Sequence, residues 1–317
     1  MRVLLVSNMW PTADEPWFGC FVKEQAEDLP ALGIFVRVVH FDGRRSRLNY
    51  LRTARKLRTL VARERFDLVH AHYGLTGAVS LFQRSVPVIT TFHGSDTGYV
   101  PWQRYVSWMV ARSSYPVFVS ESGARSLGCL GAEILPAPVD TDLFAPCERS
   151  AARRELGWSE DHPYVLLPGS RRNPVKRADL FDAAVRESQR AAPNLMGVSL
   201  EGYSRREAAL VMNAVDVTLM TSDSEGSPVA VRESLACLTP VVSVPVGDVP
   251  KVLRDLPGCA IRSREPVALA DGVVHALAAP RDPALRERAE RYSRRRTTER
   301  LAAIYESVAA TRRGARL

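Results

Sequence analysis

Residues 216–247 read DVTLMTSDSEGSPVAVRESLACLTPVVSVPVG. The segment opens on one β-rich run, DVTLMTS, and closes on another, TPVVSVPVG. Between them VAVRESLA offers Val229, Leu235 and Ala236 for the apolar stripe of a helix. Strand, helix, strand in so short a span is a parallel βαβ unit. Ser227 followed by Pro228 predicts the helix start, with a hydroxyl at the N-cap and proline at the first helical position. Such a turn presents free backbone N–H groups and the positive end of a helix dipole, which suits a phosphate. Glu225 lies just before the turn and Glu233 lies inside the helix, so two carboxylates flank the anion site and can accept hydrogen bonds from hydroxyls. A phosphate beside several hydroxyls is the outline of a sugar nucleotide.

The same alternation runs outward in both directions. In the first half RVLLVS, FVRVVHF, FDLVHAHY, VPVITTF and YPVFVS are short runs rich in Val, Ile and Phe, separated by helical patterns such as FVKEQAEDLPALG and SWMVARS. After the proline-rich AEILPAPVDTDLFAP a second series begins, with YVLLPGS, LMGVSLEG, DVTLMTS, TPVVSVPVG and CAIRS. The expected fold class is therefore α/β, with two Rossmann-like domains whose parallel sheets face an interdomain cleft. The first domain is expected over residues 1–140 and the second over 141–317, the C-terminal helix being free to pack back on the first. The last segment, ALRERAERYSRRRTTERLAAIYESVAATRR, reads as one or two basic surface helices. A G-x-G-x-x-G fingerprint does not follow the first strand, which argues against NAD.

At 317 residues the chain has room for two domains of about 150 residues each. Its five cysteines are scattered and form no C-x-x-C pair, which points to reduced thiols in a cytoplasmic protein. No segment approaches a membrane span, and the first apolar run is too short for a signal peptide. The net charge of +8 is concentrated. Between Arg44 and Arg65 the basic residues Arg47, Arg52, Arg55, Lys56, Arg58 and Arg63 interleave with Leu48, Leu51, Leu57, Leu60 and Val61 at helical spacing. This basic helix, 47–65, reads either as a solvated face or as a dock for an anionic acceptor or a membrane surface. Nucleic acid is not expected, since no recognition motif accompanies the charge.

Other stretches carry candidate chemistry. In LLPGSRRNPVKRADLF, residues 166–181, a strand runs into Gly169 and then Arg171, Arg172, Lys176 and Arg177. Cations on one strand-to-helix loop can neutralise a pyrophosphate and stabilise it as a leaving group. The G-x-x-x-x-G-K-[ST] pattern is absent, so this is not a Walker loop. In TTFHGSD, residues 90–96, His93 follows a strand within a glycine turn, and Asp96 closes it. In LVHAHYG, His70 and His72 share one face of a strand, where they line a cleft, pack, or bind metal only if acidic partners exist. In NMWPTADEPWFGC, residues 8–20, Trp10, Trp17 and Gly19 sit on a loop at the carboxyl end of the first strand. Its aromatics either stack on a sugar or apolar acceptor or pack back on the domain.

Taken together these residues resemble the family-4 retaining glycosyltransferases of the GT-B fold. SDSEGSPVAVRESLACLTPVVSVPVGDVPKVL is similar to that family's E-x7-E segment with its P-V-V strand and glycine loop, and PAPVDTDLF to its interdomain P-N-G-V-D-x-x-x-F signature. The resemblance implies that Glu233 holds the ribose hydroxyls and that Glu225 lies beside the transferred sugar. It implies that the N–H groups of Gly226, Ser227 and Val229 around Pro228 face sugar hydroxyls or phosphates. Lys176 would hold the pyrophosphate with Gly169, Arg171 and Arg172. His93 would face the donor sugar, with Gly19 in the loop near the donor. Trp10, Trp17, His72 and Asp96 are left as acceptor-side candidates. Three departures stand out: Ser170 follows Gly169 and Arg177 follows Lys176 where the family has G-R and K-G, and Cys20 replaces a frequent second glycine.

The implied function is retaining, metal-independent transfer of a sugar from a nucleoside diphosphate sugar, UDP favoured. The acceptor would be a hydroxyl in polysaccharide, glycolipid or natural-product synthesis. The acceptor hydroxyl would attack from the front face and lose its proton to a leaving phosphate oxygen. A sugar-nucleotide epimerase and a catalytically silent nucleotide-sugar-binding subunit are the alternatives.

Overall fold

The computed structural model describes residues 1–12, 15, 18–98 and 100–314. By internal contacts the chain divides into two compact units, Met1–Ala137 together with Arg294–Leu317, and Pro138–Ser293. The first half contains β1 (Arg2–Ser7), α1 (Cys20–Asp28), β2 (Phe35–His40), α2 (Leu48–Arg63), β3 (Leu68–His72), α3 (Gly74–Ser80), β4 (Val88–Phe92), α4 (Pro101–Ser113), β5 (Tyr115–Phe118), α5 (Glu121–Ser126) and β6 (Glu133–Ile134). Then come α6 (Arg149–Leu156), β7 (Tyr164–Leu167), α7 (Ala178–Ser188), β8 (Met196–Ser199), α8 (Arg205–Ala214), β9 (Val217–Met220), α9 (Val229–Ala236) and β10 (Val241–Ser243). The chain closes with α10 (Val249–Val252), β11 (Ala260–Ile261), α11 (Pro266–Ala278), α12 (Pro283–Glu290) and α13 (Arg294–Gly314).

The sheet of the first unit is parallel throughout, in the order β2-β1-β3-β4-β5-β6. From β1 the chain moves outward to β2 on one side and then returns to β3 on the other, so strand order reverses between β1 and β3. Strands β3 and β4 are buried along their whole length, whereas edge strand β2 is mostly open. That is the pattern expected when helices cover both faces of a parallel sheet. Leu57 and Val61 of α2 and Val79 of α3 pack on Leu4, Val6, Val69 and Val88, while Val110 of α4 meets Phe92.

The opposite face carries Val3, Leu68, Ile89 and Val117, and α13 lies on it through Leu301, Ile304, Tyr305 and Val308. α13 is therefore not only a surface helix: it packs back on the first unit, the placement left open from the sequence. Its dense arginines mask an apolar stripe that belongs to the core of the first unit. At about 1.5–3 kcal/mol for each large side chain buried, the stripe contributes roughly 6–12 kcal/mol as an upper bound.

The second unit repeats the same winding, with parallel strands in the order β11-β10-β9-β7-β8 around one core. Strand order here reverses between β7 and β9. Helix α9 begins at Val229 with Pro228 as its N-cap, one residue later than the Ser-Pro pair predicts. The Ser227 hydroxyl instead donates to Asp248 at 3.0 Å.

Candidate active site

In open α/β sheets ligands bind beyond the carboxyl ends of the strands, where strand order reverses. In the second unit those ends are Leu167 of β7 and Met220 of β9. The loop leaving β7 carries Gly169 to Lys176, and the loop leaving β9 carries Thr221 to Ser227. The two are stitched together: Thr221 Oγ1 donates to the Lys176 carbonyl at 2.7 Å and the Asp223 N–H to the Val175 carbonyl at 2.8 Å. Across this seam Lys176 Nζ meets Glu225 Oε1 at 2.6 Å, with both side chains only 17% exposed. Gly169 makes that reach possible, since a Cβ there would lie 2.8 Å from Lys176 Cε.

The neighbouring cations sit with carboxylates of their own. Arg171 pairs with Asp182, and Arg172 with Glu201 at 3.0 Å. Arg177 binds Asp179 at 2.7 Å and Asp223 at 3.1 Å, which raises its pKa above the ordinary guanidinium value. Of the cations expected at a pyrophosphate, Lys176 is the one the fold brings to Glu225. Arg177, where the resembled family has glycine, adopts the left-handed conformation at φ 51° and caps α7. A non-glycine residue there bears about 1–2 kcal/mol of strain.

Glu233 is buried on α9 and pairs with Arg205, whose guanidinium lies 5.0 Å over the Phe144 ring. Neither Arg205 nor the aromatic beneath it stood out in the sequence. A second set missed there holds the turn before α9. Arg232, completely buried, ion-pairs with Asp248 and lies 4.4 Å over the Tyr292 ring. Asp248 in turn accepts from Ser227. Gly247, at φ 56°, presses on the same turn: a Cβ there would sit 2.6 Å from the Gly226 carbonyl and 2.9 Å from that of Glu225. The backbone of Glu225, Gly226 and Ser227 is thus fixed from below, leaving the Pro228–Val229 start of α9 without a side-chain cap.

In the first unit the reversal lies between β1 and β3, and the histidines gather beside it. His72 Nδ1 and His93 Nε2 share a hydrogen bond of 3.1 Å, and Phe21 packs 5.2 Å from His93. Behind them His70 bonds Tyr305 at 2.6 Å and Thr91 at 2.8 Å. Burial is the leading cause that lowers all three imidazole pKa values: His70 to about 3, His93 to about 4, and His72 well below its ordinary value. All three rings are therefore neutral at pH 7 and present uncharged N–H groups and lone pairs. Among the described residues no group of three or more His, Cys, Asp or Glu is placed to hold a metal ion.

Asp96, 1% exposed, faces inward. It accepts from the backbone N–H groups of Gly74 at 2.9 Å and of His93 and Gly94 at 3.0 Å. It thereby ties the turn after β3 to the turn after β4. Burial raises its pKa to about 6 against the pull of those N–H groups. Tyr73, between His72 and Gly74, holds φ 86° and ψ 141°, a region that only glycine enters freely. Strain of that kind costs about 1–3 kcal/mol and clusters at functional turns. Gly19, at φ 73°, caps α1 against Met9, where a Cβ would lie 2.7 Å from the carbonyl oxygen. Trp10 is half-buried and stacks on His40 at 5.5 Å, packed back on its own domain. Trp17 lies outside the described residues.

Residues 14–143 match the family described as Glycosyltransferase Family 4, and residues 169–279 that described as Glycosyl transferases group 1. The chain is similar to the D-inositol 3-phosphate glycosyltransferase of Geodermatophilus obscurus, 29% identical over 303 residues, covering 77% of this chain and 67% of that one. The relative of the same name from Segniliparus rotundus is 30% identical over 281 residues, covering 72% and 62%. The chain thus spans 62–67% of the length of these two curated relatives. Among solved structures, sucrose-phosphate synthase from Thermosynechococcus elongatus has the same fold, with a TM-score of 0.80 at 16% identity over 98% of this chain and 100% of that one. Anabaena HepE in complex with UDP-glucose gives 0.70 at 14% identity over 97% and 100%. With two doubly wound parallel-sheet units, the two matched regions and these relatives, the chain belongs to the family-4 glycosyltransferases of the GT-B fold.

Proposed function

We propose that the chain transfers a sugar, with retention at the anomeric carbon, from a nucleoside diphosphate sugar to an acceptor hydroxyl, and that a UDP-sugar is the favoured donor. The observation that carries this reading is the contact of Lys176 with Glu225 across the β7–β9 reversal, beside the uncapped start of α9. A diphosphate laid there meets an ammonium group and the N-terminal N–H groups of a helix, the two features that bind phosphate. HepE, solved with UDP-glucose, supports a uridine donor by analogy of fold.

In this reading the bond between the anomeric carbon and the diphosphate oxygen breaks as negative charge grows on the leaving group. Lys176 and the first turn of α9 stabilise that charge, a kind of term worth several kcal/mol in a site closed to water. The acceptor oxygen bonds to the same face of the carbon, and its proton passes to the departing phosphate oxygen. Glu225 positions the sugar and stabilises positive charge on the ring, while Glu233, oriented by Arg205, accepts from the ribose hydroxyls. Charge neutralisation is assigned to these side chains rather than to a metal ion. The neutral His72 and His93 suit hydroxyl partners at the edge of the first unit. Free thiols at all five cysteines fit a cytoplasmic place of action.

The test is product analysis. With a UDP-sugar and an acceptor, anomeric couplings in the NMR spectrum should show the donor's configuration, and Glu225→Gln should lose turnover yet still bind UDP. An inverted product would refute retention, and full activity in Glu225→Gln would refute the role given to that carboxylate.

A further inference from the structure

The helical layer formed by α2, α3 and α4 has a charge distribution unlike the rest of the molecule. No acidic residue occurs in 44–63, and only one, Asp96, occurs in 68–120, where it is buried. α3 packs between α2 and α4, and the three cover the same face of the sheet. Their outward surface is therefore cationic without carboxylates of its own.

That surface also carries apolar side chains where an amphipathic helix would be polar. On α4, Trp102 is 51% exposed, Tyr105 60%, Trp108 41% and Met109 40%. Spacings of three and four place them on one stripe, opposite the buried Ser107, Val110 and Ala111. Tyr105 and Trp108 stack at 6.0 Å beside a hollow of about 420 Å³ that Arg104 also lines. The guanidinium of Arg112 lies 4.1 Å over Trp108. Arg104 rests on the Ser126 carbonyl and Arg112 on those of Trp108 and Leu127, contacts that leave their charge uncancelled. On α2, Leu48 and Leu51 are 57% and 56% exposed beside Arg52 and Arg55.

We propose that this layer docks on an anionic lipid bilayer, with the α4 aromatics at headgroup level and the α2 arginines against the lipid phosphates. Tryptophan and tyrosine favour the membrane–water boundary, and basic side chains add attraction to anionic headgroups. No helix among the described residues is long and apolar enough to cross a membrane, so the contact is a surface one. A second copy of the chain is disfavoured as occupant, because it would bring like charge against like.

The test uses the full chain and vesicles of phosphatidylcholine, alone or mixed with phosphatidylglycerol. Sedimentation should show binding to the mixed vesicles only. Replacing Arg52, Arg55 and Arg58 with glutamine should weaken it roughly a hundredfold. The pair Trp102→Ser and Trp108→Ser should weaken it at least about tenfold, with UDP binding unchanged. In the unaltered chain, brominated lipid should quench tryptophan fluorescence, a readout that does not depend on the variants folding. Equal binding to neutral vesicles, full binding by the tryptophan pair, or no quenching would each overturn the proposal. So would dimers that form through this face while vesicles are ignored.

Discussion

Replacing Arg232 with methionine would remove a guanidinium that is completely buried inside the second unit. Methionine keeps much of the stem, so the loss is mainly one of charge and hydrogen bonds. Those bonds run to Asp248, to the Pro228 carbonyl at 3.3 Å, and over the Tyr292 ring at 4.4 Å. Asp248, whose side chain is 9% exposed, would keep Ser227 but lose its counter-charge. Stranding one member of a buried ion pair costs about 3–5 kcal/mol. In a unit of this size each kcal/mol moves Tm by about 2–4 °C, so the second unit should melt about 10 °C lower. Adding Asp248→Asn removes the stranded carboxylate, and the double variant should recover part of the loss, with a coupling energy of about 2 kcal/mol. Because Asp248 holds Ser227 and Gly247 bears on Glu225 and Gly226, the donor KM should rise in the single variant as well. Calorimetric melts of the four proteins in the cycle decide the matter. A shift of the single variant within about 2 °C, or strictly additive effects, would refute the clamp.

Acid should destabilise the first unit. Near pH 5 the unfolded chain holds protons on His70, His72 and His93, whose ordinary pKa is 6.5, while the native rings, at about 3, well below 6.5 and about 4, hold almost none. Asp96, raised to about 6, works in the opposite sense and binds its proton in the native state first. The net difference of about two protons makes stability fall by about 2.7 kcal/mol per pH unit as pH drops below 6. Asp96→Asn should steepen that slope, and a flat melting profile between pH 7 and 5 would contradict it. Ending the chain at Ser293 strips α13 from Val3, Leu68 and Ile89; the melting transition of the first unit should vanish while that of the second persists, and survival of both would argue against a core role for α13. Gly169→Ala should drive Lys176 away from Glu225 and lower kcat about a hundredfold with little change in Tm, because the displaced atoms end a flexible side chain. Unchanged turnover would show that the Lys176 contact is not needed.

The alternation of β-rich runs with helical stretches made both parallel sheets legible, and the two glutamates with the Ser-Pro turn pointed to the loop after β9, which the fold brings against Lys176. What stayed hidden was pairing. Glu233 and Arg205 are distant in sequence and meet only because α8 and α9 lie side by side. The sequence shows that Arg171, Arg172 and Arg177 are cations, but not that Asp182, Glu201 and Asp179 stand next to them. Asp96 read as a residue facing an acceptor, whereas the chain turns it inward onto three N–H groups. α13 could be left free to pack back on the first unit, but its apolar stripe lies within arginine-rich composition and becomes visible only against a partner. The departure at Arg177 could be seen in the sequence, yet its left-handed backbone is a property of the turn.

The most direct test of the donor site is a calorimetric titration of UDP into the native chain and into Lys176→Met. One UDP should bind per chain, weakened at least about tenfold in the variant at unchanged Tm, as expected when a charge-assisted hydrogen bond to phosphate is removed. Equal affinity in the two proteins would place the diphosphate somewhere other than the seam between the β7 and β9 loops.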